Sequence, residues 1–205
     1  MIQTIQNVIE SRASVNNFQT GRPLGNEVIA SLVSQATQAP SAYNMQNWRF
    51  IAVQSEDAKA RLKSAAFGQQ KIMDASVAFI ICGTLAAHTQ LANVLKPSVE
   101  ADIMKQATAN AWVAQASASH EGNSVLQRDE AMRSASLAAM TLMLAAQGMG
   151  LGSCPMSGFD ATQVAREFGL AATELPVVIV AVGYPAIENS PQKVRKALPE
   201  VLSIV

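Results

Sequence analysis

The sequence predicts an α+β domain of three layers, α/β/α, with helices flanking a small central sheet and one long helix buried at its centre. Two observations carry this expectation. Three short apolar runs, at residues 49–54, 77–82 and 176–182, alternate with segments of helical periodicity. A segment starting at Val125 or Asp129 and running through Gln147 is small or apolar on every face from Ser134 onward, so it should be buried nearly all round.

In chain order, residues 2–11 form the first helix, with Ile2, Ile5, Val8 and Ile9 on one stripe. RASVNNF, residues 12–18, follows. Arg12 offers a planar, permanently charged fork suited to phosphate oxygens, and Ser14 adds a hydroxyl. A solvated arginine closing a helix is the competing reading. Asn26 reads as the N-cap of a helix through Thr37, with Val28, Ile29, Leu32, Val33 and Ala36 apolar. Pro40 should end that helix, because the residue before a proline is pushed out of the helical region. The stretch 39–50, APSAYNMQNWRF, then gathers hydroxyl and amide groups on Ser41, Asn44 and Gln46. These donate and accept without charge, which suits a flat heterocycle as well as it suits a polar turn. A strand at 49–54 precedes a surface helix at 55–65 with Glu56 and Asp57 near its start. Gln69 and Lys71 lead into 77–82, whose unbroken apolar run fits a strand covered on both faces. Lys71 could meet a ligand oxygen or be a solvated cation.

Residues 84–122 are alanine-rich and polar, with helices expected near 85–95 and 99–117. Such a pair would make a lid or a partner-embracing excursion. Trp112 and the methionines there read as packing, and His120 as a loop residue. The long helix should extend about 30 Å. Its uncharged core is too short to span a bilayer comfortably, and its alanines and serines would admit a second helix across a dimer interface. It ends in GMGLGSCPMSGFD, residues 148–160. Those glycines do not make a dinucleotide fingerprint, which follows a strand and opens a helix. They leave a flexible loop whose backbone N–H groups can approach a ligand closely. Asp160 should cap a short helix through Phe168. Beyond the strand at 176–182 the tail carries Lys193, Arg195 and Lys196, then Val201, Leu202, Ile204 and Val205. Lys193 and Arg195 could close on a phosphate, and the apolar end could pair with a partner's sheet edge.

Composition narrows the classes. The chain has 205 residues, 49% of them hydrophobic, and 15 basic residues balance 15 acidic ones. That suits one domain over 1–205 and leaves no electrostatic footprint for nucleic acid or an anionic membrane. Cys82 sits in a strand-like run as an expected inert thiol, whereas Cys154 lies in the glycine-rich loop and could react. With two histidines and no CxxC, no dedicated zinc site is expected. The N-terminus lacks a basic region followed by an apolar core, so a cytoplasmic location is expected.

Several of these segments resemble the nitroreductase family, the FMN-dependent NAD(P)H oxidoreductases. Residues 39–50 resemble its APSxxNxQPW motif, with Asn47 in place of the second proline. Residues 12–18 resemble RxSxRxF, with Asn16 at the second basic position. Residues 68–71 resemble N-x-x-K or N-Q-x-Q with Gly68 replacing asparagine, and 150–160 resemble GLGS…P-x-x-G-F-D with Ser157 where many members carry glutamate. The K-x-R pair Lys193 and Arg195 is similar to the family's second phosphate clamp.

The resemblance implies a fold with a small central mixed sheet and a homodimer with FMN at the subunit interface. It implies hydride transfer from NADH or NADPH through flavin N5 to a small-molecule electron acceptor, such as a nitroaromatic or a quinone. The flavin, not a protein residue, would carry the chemistry. Arg12, Ala13, Ser14 and Asn16, with Lys193 and Arg195, are the implied contacts of the phosphate and ribityl chain. Pro40, Ser41, Ala42, Asn44, Gln46, Gln69 and Lys71, with the backbone of Pro155, Met156, Ser157 and Gly158, are the implied surroundings of the ring. A same-fold flavin enzyme of dehalogenase or dehydrogenase type, and a flavin-holding module without turnover, are the alternatives. The variable region 84–122 would decide between the enzymes.

Overall fold

The structure is a computed structural model and describes residues 4–205. Ile2 of the expected first stripe lies outside the described residues. Side-chain caps open four of the helices as they are met along the chain. The Thr4 hydroxyl accepts from the Asn7 N–H to open α1 (Ile5–Ser11). α2 (Asn26–Ala36) starts one residue earlier than expected, with Gly25 rather than Asn26 at the cap. β1 (Trp48–Val53) leads to α3 (Glu56–Ala65), which the Ser55 side chain caps. α4 (Lys71–Asp74) and β2 (Val77–Thr84) follow. The excursion is α5 (Leu91–Glu100) and α6 (Gln106–His120), and Asn123 then caps α7 (Ser124–Gly148). β3 (Gly152–Met156), α8 (Ala161–Glu167, capped by Asp160), β4 (Glu174–Gly183) and the short α9 (Leu198–Val201) complete the chain.

The sheet has four strands in the order β1-β2-β4-β3, every neighbouring pair antiparallel. Among the described residues, parallel pairing is confined to one isolated bridge, between Ser14 and Ser153, so the sheet is not the mixed one expected. β3 corrects the expectation of a flexible loop. Gly152 to Met156 pair in register with Gly183 to Ile179, and only residues 149–151 and those after Met156 are left as turn and loop. Pro155 concealed this strand. A proline cannot donate to a ladder, but it is tolerated here because β3 is an edge.

Alternation along β2 explains the three layers. Ala78, Ile80 and Cys82 pack with Leu62 of α3, Ile72 of α4 and Val164 of α8. Val77, Phe79 and Ile81 pack on the other face with Leu32 of α2 and Ala135, Ala139 and Leu142 of α7. Helices on both faces leave no polar side in the strand, hence the unbroken run. Burial pushes the Cys82 thiol up to about 12, so it is inert. α7 crosses β2 so closely that a Cβ on Gly83 would overlap the Ala131 carbonyl oxygen.

α7 is not buried all round. Leu137 and Met140 remain 42% and 39% exposed, on a face turned away from the sheet. Ile5 and Ile9 of α1 are exposed too. A third cluster joins α5 and α6 to Tyr43 and Met45 of the 39–50 stretch. The excursion helices begin and end later than expected. His120 is consequently the last residue of α6 and buried, not a loop residue. Among the described residues no helix is long and apolar enough to cross a membrane.

Candidate functional site

The end of α1 delivers Arg12 into extended backbone. The chain then runs beside β3, where the Val15 N–H donates to the Ser153 carbonyl at 3.0 Å. Gly152 permits this approach, since a Cβ there would stand 2.6 Å from the Val15 side chain. The RASVN segment is thereby laid against the GLGSCPM segment. One Arg12 guanidinium nitrogen, Nη1, is sealed from solvent and has no partner among the described residues. A buried donor without an acceptor is costly, so this atom marks a place where an acceptor belongs.

Lys71 closes the second side. Its Nζ donates to Asn16 Oδ1 at 3.0 Å and lies 3.6 Å from the Cys154 Sγ. Gln69, two residues earlier, donates through Nε2 to the Gly158 carbonyl at 2.9 Å, which anchors the loop after β3. Three separate nominated segments, 12–16, 69–71 and 154–158, are thus brought together, 69–71 making direct contacts with both of the others. Among the described residues neither Arg12 nor Lys71 is ion-paired with a carboxylate. The corner carries uncompensated positive charge, which suits an anion.

Side-chain exposure differs within these segments, and the remaining nominated residues fall elsewhere. Ser14, Ser157 and Gly158 are exposed and Ala13 is half-buried, whereas the Met156 side chain is in the core and leaves its backbone for any contact. Pro40, Ser41 and Ala42 line an open cavity with Glu130, Arg133, Ser134 and Leu137 of α7. The turn there is held by the Gln46 N–H donating to Ser41 Oγ at 2.9 Å. Tyr43, Asn44 and Gln46 all have positive φ, at 52°, 56° and 49°. Such strain in three non-glycine residues of one loop is common where a ligand is received. No described hydrogen bond joins this turn to the Arg12–Lys71 corner. Lys193 and Arg195 are exposed on the tail, where the Arg195 guanidinium donates to the Lys193 carbonyl at 2.9 Å.

Two residues escaped the sequence reading. Asn189 accepts through Oδ1 from the backbone N–H groups of Asn16 and Asn17 at 2.9 and 3.0 Å and donates to the Asn17 carbonyl at 2.8 Å. Gln192 donates to the Arg12 carbonyl at 2.9 Å. Both fix the start of the tail against the Arg12 segment from more than 170 positions away. Their amides carry no local signal. Asn47 is buried with Oδ1 unpartnered, and nothing in the structure explains it.

The model of the Nitroreductase family matches residues 9–184. YodC of Bacillus subtilis (strain 168), whose name places it with the NAD(P)H nitroreductases, is 31% identical over 194 residues, covering 95% of each chain. An NADH dehydrogenase of Thermus thermophilus is 32% identical over 184 residues, 88% of this chain and 86% of that protein. Among solved structures, a nitroreductase-type protein of Exiguobacterium sibiricum 255-15 in complex with FMN superposes with a TM-score of 0.92 at 27% identity, covering 99% of this chain and 98% of that one.

Proposed function

The chain belongs to the nitroreductase family of oxidoreductases, and we propose that it is an FMN-dependent NAD(P)H oxidoreductase, a cytoplasmic homodimer that reduces small-molecule acceptors such as nitroaromatics or quinones. The observation that carries the FMN assignment is the sealed, unpartnered Arg12 Nη1, with the carboxylate-free Lys71 held on Asn16 of the same segment. A phosphate dianion supplies the acceptor that Arg12 lacks, and a guanidinium fork matches its oxygens. When bound, FMN supplies the hydride acceptance and donation, and the protein contributes position and electrostatics.

The chain's own residues then have distinct tasks. Arg12 and Ser14 hold the phosphate, with Asn16 and the Ala13 backbone along the ribityl chain. Lys193 and Arg195 follow Gln192, which is already tied to Arg12, and complete the cationic shell. Lys71, oriented by Asn16, presents an ammonium to an electron-rich edge of the ring. Gln69 holds the Pro155–Gly158 loop by its last carbonyl, so that the loop backbone meets the ring without side-chain help. The 40–46 turn stands apart from this corner within one protomer, beside the open face of α7. We assign its Ser41, Asn44 and Gln46 to the ring held by the partner, which makes the site complete only in the dimer.

The visible spectrum of the purified protein, taken before and after anaerobic NADH or NADPH, tests the reading. Flavin bands that bleach on adding the nucleotide are expected. Absence of bands after FMN is supplied, or bands that neither nucleotide bleaches, would overturn it.

A further inference from the structure

The chain has two histidines, His88 and His120, 32 positions apart in sequence, and the fold brings their rings next to each other. Their rings are 5.6 Å apart centre to centre and tilted by 31°. They are 8% and 4% exposed. His88 Nδ1 and His120 Nε2 are each sealed from solvent without a hydrogen-bond partner. We propose that these two nitrogens form a binding site for an imidazole-seeking transition-metal ion, of the zinc and copper class.

The tautomer of His120 fits this role. Its Nδ1 is 3.0 Å from the Ala116 carbonyl oxygen, which can only accept, so Nδ1 carries the proton and Nε2 keeps its lone pair. Anchoring one ring nitrogen on a backbone carbonyl is how a ligating histidine is oriented. The Ser119 hydroxyl, 2.9 Å from Nδ1, supports the same orientation.

The ring spacing agrees. With metal–nitrogen bonds of about 2.0–2.1 Å and a ring nitrogen roughly 1.1 Å from its ring centre, two imidazoles on one ion have centres about 5.2 Å apart at a tetrahedral angle. A linear arrangement stretches this to about 6.4 Å. The observed 5.6 Å lies between these limits.

Among the described residues no third histidine, cysteine, aspartate or glutamate completes a cluster. The remaining positions fall to water that enters with the ion. Imidazole with water suits zinc and copper rather than the oxygen-seeking magnesium and calcium. An ion here ties the end of α6 to the 3-10 turn Ala87–Gln90. It also stiffens the support of Tyr43, whose ring packs edge-on to His120 at 6.4 Å.

The test uses the full-length, untagged holoprotein, titrated with zinc chloride and separately with cobalt chloride. One ion per chain and a rise in Tm of about 5 °C or more at saturation are expected. His88→Gln and His120→Gln should each abolish both effects while leaving flavin content unchanged. If either variant fails to fold, the ¹⁵N spectrum of the wild-type histidines decides, because zinc should move His88 Nδ1 and His120 Nε2 together. Absence of saturable binding, binding that survives the substitutions, or histidine nitrogens that do not respond to zinc would overturn the proposal.

Discussion

Arg12 and Glu174 show how differently two charged side chains serve this molecule. Arg12 has a sealed guanidinium nitrogen with nothing to donate to. Truncating it leaves an FMN phosphate without its charge-assisted hydrogen bonds, each worth about 1.5–3 kcal/mol. Arg12→Ala should therefore weaken FMN binding by about 10- to 100-fold, measured by fluorescence titration of the apoprotein, and unchanged affinity would remove the phosphate assignment. Glu174 is structural. Both its oxygens accept from Arg49, at 2.7 and 2.6 Å, which ties the start of β4 to β1 across the sheet. The hydrogen bond from Arg49 holds the Glu174 carboxyl below its ordinary value, with the Ala171 N–H adding to it against desolvation. A carboxyl depressed on folding stabilises above its unfolded pKa, and that stability is lost as pH falls through the folded value. Glu174→Gln should cost about 1 kcal/mol at neutral pH. Its deficit should begin to shrink in urea unfolding as pH falls below the ordinary glutamate value of about 4.3 and should vanish only below the depressed folded value. A deficit independent of pH would mean the ion pair is not its source.

At the scale of elements, the close crossing of α7 over β2 is the most demanding contact. Gly83→Ala would drive a methyl into the Ala131 carbonyl, part of rigid helix backbone, so α7 must shift. A loss of about 2–3 kcal/mol is expected, read as a lowered denaturant midpoint with unchanged slope. The elements also differ in how openly the sequence declares them. β2 is plain from its apolar run, and α8 from its Asp160 cap. β3 is hidden because Pro155 and Gly152 have poor strand propensity. Its place comes from pairing with β4 and covering by Val15, which are long-range contacts. His120 is misread for a related reason. Glu121 and Gly122 announce a turn, but α6 continues up to it because Ala109, Ala116 and His120 are buried.

For the whole molecule, the open face of α7 and the tail leave apolar side chains uncovered. Leu137, Met140 and Met149 are about two-fifths exposed, with Ile5 and Ile9 more so. The tail beyond Gly183 leaves Val194, Leu198 and Ile204 at 98%, 71% and 90% exposure. Apolar surface of this kind marks an interaction site, and in the proposed dimer it is the face that a second copy would cover, bringing its 40–46 turn to the neighbouring Arg12–Lys71 corner. If the proposed dimer forms through this face, Leu137→Glu should leave a monomer in sedimentation velocity and lower the flavin retained per chain on desalting. A monomeric variant with full flavin content would separate dimerisation from cofactor binding and confine the site to one chain.

What the sequence determined by itself was local or repetitive: the buried strands, the Asp160 cap, the long helix, and the motif segments that nominated Arg12, Lys71 and the Pro155–Gly158 loop. Apolar periodicity and capping chemistry act over a few residues, so they can be read in order along a chain. Only the tertiary structure decided which segments meet. It laid Val15 on Ser153, carried Lys71 to Asn16, brought Asn189 and Gln192 back to the start of the chain, and set His88 against His120. Those contacts arise from closing a sheet between two helical layers, a constraint shared by the whole chain and written in no single stretch of it.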